Sequence, residues 1–326
     1  MLRLCALILG LLGMAGCGHP EAGLDAGSGA ARGDLVKAVR SAIASGDRQR
    51  AAVLVEEARA AEGASPTVLL AQSWVGRGAL AEGDLDTAEA VGRRTYDEVQ
   101  QALRGRSLDE EPQLPLALGA SIELLGNVAV ARGARSEALA YLQDEFGRYA
   151  QTSIAMRLQK NINLLSLEGT PAPALSTEEH LGTAPPALAD LRGQVVLMFF
   201  WAHWCSDCKQ QAPILVRLRE RYGPQGLTVL APTQRYGYVA GGRDAGPDEE
   251  AAYIADVWRD AYGALRDVPV TLDAANHQRY GVSTTPTLVL ADRTGTIRLY
   301  HPGQMTEEAL ATAVEQWLPA ADAATR

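Results

Sequence analysis

The chain reads as two folds in series, an all-α helical-repeat half followed by an α/β half. Three observations carry this reading. Between about Asp34 and Leu167, Ala-rich runs such as LVKAVRSAIASG and RAAVLVEEARAAEG repeat their apolar residues at three- and four-residue steps, the period of a helix face. The next stretch, EGTPAPALSTEEHLGTAPPALADLRG, is Pro-rich and without period. Beyond it, strand-like and helix-like runs alternate. A length of 326 residues suits about two domains, and a hydrophobic fraction of 47% is ample for packed cores. The formal net charge of −9 argues against a nucleic-acid or anionic-membrane footprint.

The first 17 residues, MLRLCALILGLLGMAGC, have the parts of an export signal. Arg3 gives the positive start, Leu4 to Leu12 the apolar stretch, and Ala15 and Gly16 the small residues before Cys17. The apolar run is short for a membrane span. The pattern resembles a bacterial lipobox, with Met14 where Leu is usual. The resemblance implies a lipid-modified Cys17, a membrane anchor and an envelope location facing the periplasm. A plain signal peptide with an incidental cysteine is the other reading. On the lipobox reading Cys5 is removed and Cys17 acylated, which would leave Cys205 and Cys208 as the thiols of the folded chain, in a compartment where disulfides persist. Residues 18–33, rich in Gly and Ala, read as a flexible tether.

Within residues 34–167 a weak repeat is visible. GDRQRAAVLVEEA, GDLDTAEAVGRRT and GARSEALAYLQDE begin at Gly46, Gly83 and Gly133, each with an Ala five residues on: Ala51, Ala88 and Ala138. Gly76 and Gly126 precede the second and third by seven. This resembles tetratricopeptide helix pairs, in which a glycine closes the turn and small residues let two helices approach. The spacings, 37 and 50 residues, depart from that family, and RGRSLDEEPQLP (104–115) reads as a loop inserted between pairs. An irregular helical bundle is the other reading. The resemblance implies a surface for a protein partner; Trp74 and Tyr96 read as core.

From 168 to 320 the elements follow in order. QVVLMFFW (194–201) is a continuous apolar run, as for a strand buried on both faces. SDCKQQAPILVRLRERYG reads as a helix ending at Gly223, and LTVLAP (227–232) as a second strand. A polar, Gly-rich loop covers about Thr233 to Pro247. DEEAAYIADVWRDAYGAL reads as a helix whose acidic start suits the helix dipole, with Asp248, Glu249 and Glu250 as a cap. VPVTLD (268–273) is short and β-like, TPTLVLADRTGTIRLYHPG a hairpin, and TEEALATAVEQWL a helix with Thr306 as its cap.

Strand, helix, strand, helix, hairpin and helix is the order of the thioredoxin fold. FWAHWCSDCKQQAP resembles the active-site segment of that family: Trp204 precedes Cys205, Cys208 follows at Cys-x-x-Cys spacing, and Pro213 lies five beyond. YGVSTTPTLVL resembles the family's cis-proline segment and gives Thr285 and Pro286 that role. The lead-in GTPAPAL…LADLRGQVVLMFFWAHWC is similar to the TlpA/ResA-like branch of membrane-attached thiol–disulfide oxidoreductases. The match covers roughly residues 168–318 and leaves out the helical half.

Three readings of the cysteine pair compete. A structural zinc needs two more ligands, and the five histidines are scattered. A purely structural disulfide over so small a loop constrains little chain. Redox exchange fits best. The start of a helix favours a thiolate at Cys205, which attacks a partner's disulfide, and Cys208, one turn on, resolves the mixed disulfide. No cofactor is required. The resemblance implies protein disulfides as substrates and a membrane electron-donor protein as partner. A scaffold lipoprotein with a low-turnover thioredoxin module, and a peroxiredoxin-like peroxidase, are the alternatives.

The segment also departs from its relatives. Phe199 and Gln211 occupy the two positions where carboxylates are usual. Asp207 stands directly before Cys208, where thioredoxin has proline. Its charge should disfavour a Cys205 thiolate and make the couple less oxidising; it is otherwise the missing base, or only a residue suited to a helix start. His203 and Lys209 read as solvated surface groups.

Overall fold

The computed structural model describes residues 29–319. The signal peptide, Cys17 and most of the tether lie outside them. The described residues divide into two compact units that meet in sequence between Asn161 and Ile162.

The first unit is all helical: α1 (Gly29–Ala44), α2 (Arg48–Glu62), α3 (Pro66–Ala81), α4 (Leu85–Ala102), α5 (Gln113–Ala131), α6 (Arg135–Tyr149) and the start of α7 (Ala155–Ser166). Helix α1 thus takes in the last five residues of the expected tether. The segment 104–115 is not all loop either, since Leu108–Glu110 makes a 3-10 turn and α5 begins at Gln113. Side-chain caps mark the starts: Asp47 accepts from the Arg50 N–H, Ser65 from Val68 and Asp84 from Thr87. Gly46, Gly83 and Gly133 turn the chain between α1 and α2, α3 and α4, and α5 and α6, all at φ near +80°, where a Cβ is strained. Ala51, Ala88 and Ala138 are fully buried.

Two glycines permit close helix contact to different degrees. A Cβ on Gly76 would collide with Leu124 Cδ2 and stand 3.1 Å from Val91 Cγ1, whereas one on Gly126 would meet Leu142 at 3.3 Å. Leu124 is itself buried. Gly76→Ala is therefore expected to destabilise the helical unit by about 1–3 kcal/mol through overpacking, and Gly126→Ala by clearly less. Chemical denaturation followed by helical circular dichroism checks this; equal costs would refute the packing argument.

The centre of the unit is charged. Glu123 on α5 accepts from Arg157 Nε at 2.8 Å, Lys160 Nζ at 3.3 Å and Asn161 Nδ2 at 3.3 Å, with Arg77 Nη2 at 3.9 Å. The guanidinium groups of Arg40 and Arg77 each lie over the Trp74 ring, 4.8 and 4.6 Å from its centroid. Helix α5 is long and apolar enough by composition to cross a membrane, but 67% of that stretch is buried inside the protein.

The second unit is α/β. In chain order it holds β1 (His180–Leu181), β2 (Val195–Phe200), α8 (Ser206–Tyr222), β3 (Leu227–Leu230), α9 (Pro247–Ala261), β4 (Val270–Thr271), α10 (Ala274–Arg279), β5 (Thr287–Ala291), β6 (Ile297–Pro302) and α11 (Glu307–Glu315). Four strands form one sheet in the order β3-β2-β5-β6. β2 runs parallel to β3 and antiparallel to β5, and β5 runs antiparallel to β6. β1 and β4 pair separately.

The apolar run of β2 follows from its central place. Val195, Leu197 and Phe199 face a core that includes Leu215 and Leu218 of α8, Ile254 and Trp258 of α9, and Leu310 and Val314 of α11. Val196, Met198 and Phe200 face a second core with Leu191, Tyr280 and Tyr300. Each large side chain so buried contributes about 1.5–3 kcal/mol. A strand covered on both faces needs no polar alternation, and it presents its C-terminal end, where Cys205 follows, as a rigid edge.

Candidate redox site

The chain leaves β2 through Trp201, which is anchored three times. Its backbone N–H donates to Pro232 O at 3.1 Å, its indole N–H to Ala231 O at 3.1 Å, and its carbonyl accepts from Thr233 Oγ1 at 2.8 Å. Four residues on, Cys205 is the N-cap of α8, and its Sγ accepts the Cys208 N–H at 3.0 Å. Cys205 and Cys208 are joined as a disulfide, with Cα atoms 5.3 Å apart, and both residues are fully buried. A sulfur at a helix N-terminus sees the positive end of the helix dipole, which favours its anionic form once the bond is reduced.

The opposite wall comes from the start of β5. Thr285 and Pro286 are joined by a cis peptide bond, and Thr285 O lies 3.5 Å from Cys205 Sγ. The turn after β6 ties the two walls together. Gly303 N–H donates to Pro286 O at 2.7 Å, Gln304 Nε2 to Asp207 O at 2.9 Å, and Met305 N–H to Gln211 Oε1 at 2.9 Å. The structure therefore brings together Trp204, Cys205, Asp207, Cys208, Thr285 and Pro286. Cys17 lies outside the described residues. Among the described residues, no group of three or more His, Cys, Asp or Glu is arranged to hold a metal ion.

The two positions that lack carboxylates have other uses. Phe199 is buried in the sheet core. Gln211 is buried and braces Met305, and its Nε2 has no hydrogen-bond partner. Asp207 is half-buried, with the Ser206 hydroxyl 3.4 Å from its Oδ1. Lys209 is exposed, as expected of a solvated lysine.

The comparisons with known proteins agree with this geometry. The thioredoxin-like domain family matches residues 187–318. The thioredoxin-like protein YneN of Bacillus subtilis is 28% identical over 142 residues, 43% of this chain and 75% of that protein. The thiol-disulfide oxidoreductase ResA of Geobacillus thermodenitrificans is 27% identical over 134 residues, 40% and 68% of the two chains. Residues 187–318 of this chain form a thioredoxin-like domain, similar to those of thiol–disulfide oxidoreductases. The thiol:disulfide interchange protein HelX of Rhodobacter capsulatus matches the domain at 27% identity over 47% of this chain and 78% of its own. Among solved structures, the exposed lipoprotein thioredoxin of Streptococcus pneumoniae is 25% identical, with a TM-score of 0.32 over 40% of this chain and 90% of that one.

The thioredoxin-like domain corrects one sequence expectation. His203 is not a surface group: its side chain is 1% exposed, and Nε2 lies 3.4 Å from Glu250 Oε1. Burial pushes the imidazole below its ordinary pKa, against the pull of Glu250. Glu250, read as part of a cap, is equally buried and accepts the backbone N–H groups of Tyr236 at 2.5 Å and Gly237 at 2.8 Å. Sequence reasoning also missed Gln304 and Met305. An acid in the first turn of a helix carries no sign of a partner some fifty residues away, and a bracing turn has no motif of its own.

Proposed function

We propose that the chain is an envelope thiol–disulfide oxidoreductase that reduces disulfides of partner proteins. Cys205 at the N-cap of α8, within 3.5 Å of Thr285 O, is the observation that carries the reading. In the reduced domain the Cys205 thiolate attacks one sulfur of a substrate disulfide. A bond forms between Cys205 and that sulfur, and the substrate's other sulfur leaves as a thiolate that takes up a proton. Cys208 loses its proton and attacks Cys205 Sγ. The second substrate thiol departs, the Cys205–Cys208 bond closes, and two electrons have passed to the substrate. A dithiol donor must then reduce the pair, and a membrane electron-transfer protein fits that part. The Thr285–Pro286 backbone is suited to accompany an extended substrate segment.

The same reading takes residues 168–320 as the exchange domain and residues 34–167 as a tetratricopeptide-like unit that docks a protein partner. Cys17 is its lipid attachment point, and the protein faces the periplasm. The signal-like start MLRLCALILGLLGMAGC supports the anchor, and the relatives ResA and HelX support the activity.

The reduction potential of the Cys205–Cys208 pair tests the direction of exchange. A value near or below about −270 mV belongs to a reductant, and one near about −120 mV would make the protein a disulfide donor. Asp207 is placed to tune that value. Removing its charge in Asp207→Asn should favour the Cys205 thiolate and make the couple more oxidising by about 10–30 mV. An unchanged potential would leave Asp207 with no part in the poise.

A further inference from the structure

We propose that His203 and Glu250 are a positioning pair that fixes the loop 233–247 beside the dithiol, and that Tyr236 of this loop, packed on Trp204, forms a recognition wall for the protein segment carrying the substrate disulfide. The proposal rests on the function argued above and adds a specificity element to it. The loop is closed on itself. Val239 N–H donates to Arg243 O at 2.9 Å, Ala245 N–H to Gly237 O at 3.0 Å, and Tyr238 bridges to Asp244. Its start is held by Arg235, whose Nε donates to Pro247 O at 2.9 Å and whose Nη1 donates to Glu179 at 2.8 Å. The next two residues are held by Glu250, which takes both the Tyr236 and the Gly237 N–H.

His203 completes the attachment from the cysteine side. Its ring meets the rings of Tyr236, Tyr238 and Tyr253 edge-on, with centroids 5.6, 5.3 and 5.3 Å away. His203 is two residues before Cys205, and Trp204, between them, meets Tyr236 edge-on at 5.5 Å. One buried pair thus touches both the cysteine segment and the loop. A carboxyl and an imidazole taken out of water in the core of a small domain are costly unless their partners are fixed. Here those partners are loop amides and loop aromatic rings. Trp204 and Tyr236 are each half-buried, so part of each side chain stays at the surface beside the dithiol. Aromatic side chains held rigid by packing lose little entropy on contact, which suits them to recognition.

The test uses the full chain with Glu250→Ala and the conservative Glu250→Gln, and insulin as the protein disulfide. In Glu250→Ala, amide hydrogen exchange at Tyr236 and Gly237 should quicken by at least about tenfold, while amides of Val195–Phe200 keep their protection. The KM for insulin should rise about three- to tenfold with kcat held within about twofold, the split of a lost binding contact. Glu250→Gln, which keeps one acceptor oxygen, should lie between wild type and Glu250→Ala on both measures. Unchanged exchange at the two amides overturns the anchoring role. Faster exchange with an unchanged KM, or an equal fall in kcat and kcat/KM, overturns the recognition role. A wild-type chain that does not reduce insulin counts against the parent function rather than against the pair.

Discussion

Cys205→Ser should abolish disulfide exchange at its first step, whereas Cys208→Ser should keep that step and stall with substrate attached. The asymmetry is written in the geometry. Cys205 Sγ caps α8 and receives the Cys208 N–H at 3.0 Å, a site that favours its thiolate by about 0.3–1 kcal/mol. Cys208 lies inside the first turn, where a thiol gains less from the helix end. Without Cys205 there is no attacking sulfur, and insulin reduction should fall to the uncatalysed rate. Without Cys208 the first step still occurs, but the mixed disulfide cannot be resolved from within. One substrate chain should then remain bound per protein, visible as a higher-mass band without reductant and lost on adding dithiothreitol. If Cys205→Ser were the variant that accumulates this band, the assigned roles would be reversed.

The second large effect is on stability. Glu123→Ala should cost the helical unit about 3–5 kcal/mol, because it leaves buried cations without their shared counter-charge. Lys160 is 4% exposed, and the side chains of Arg157 and Arg77 are about one-fifth and one-quarter exposed. Burial alone would raise the Glu123 pKa, but Lys160, Arg157 and Arg77 outweigh it and hold the carboxyl well below its ordinary value. A depressed carboxyl pKa stabilises the fold in full above the unfolded value of 4.5 and loses that contribution as pH falls through the folded value. Helical circular dichroism against denaturant should show the difference between wild type and variant constant from pH 6 to 8 and shrinking in acid. A cost below about 1 kcal/mol at pH 7 would mean that water already satisfies the three cations.

The parts of this structure legible in the sequence are those set by near neighbours or by burial on every side. β2 could be read because both its faces are covered, so its residues are apolar without interruption. The start of α11 could be read because Thr306 caps it locally. Cys205 and Cys208 could be read because the chemistry requires their spacing on one helix turn. The remainder depends on residues far apart in the chain. β1 is two residues long and is formed by its pairing with β4, so no period marks it, whereas β4 falls inside the run VPVTLD that reads as β-like. His203 looked like a surface residue because its partner lies 47 residues on, and nothing in WAHWC points to Glu250. Gln211 marked the loss of a carboxylate, but its use as a brace for Met305 could be seen only once the turn after β6 was in place.

The bracing of the site from both ends of the domain also bears on its biosynthesis. Cys205 and Thr285 are separated by 80 residues, and Asp207 and Gln304 by 97. At a synthesis rate of about 5–20 residues per second, the cysteines emerge roughly 4–16 s before Thr285 exists to stand beside them. During that interval they form an exposed, reactive pair on an incomplete chain. From the start of the helical half at Asp34 up to Thr285 they are the only cysteines, so oxidation within this stretch joins Cys205 to Cys208, the bond the finished domain contains. A third cysteine in the helical half would create a wrong partner at that stage, before any native contact could exclude it. The absence of cysteine from residues 34–204 therefore protects the maturation of the pair as well as leaving its chemistry undisturbed.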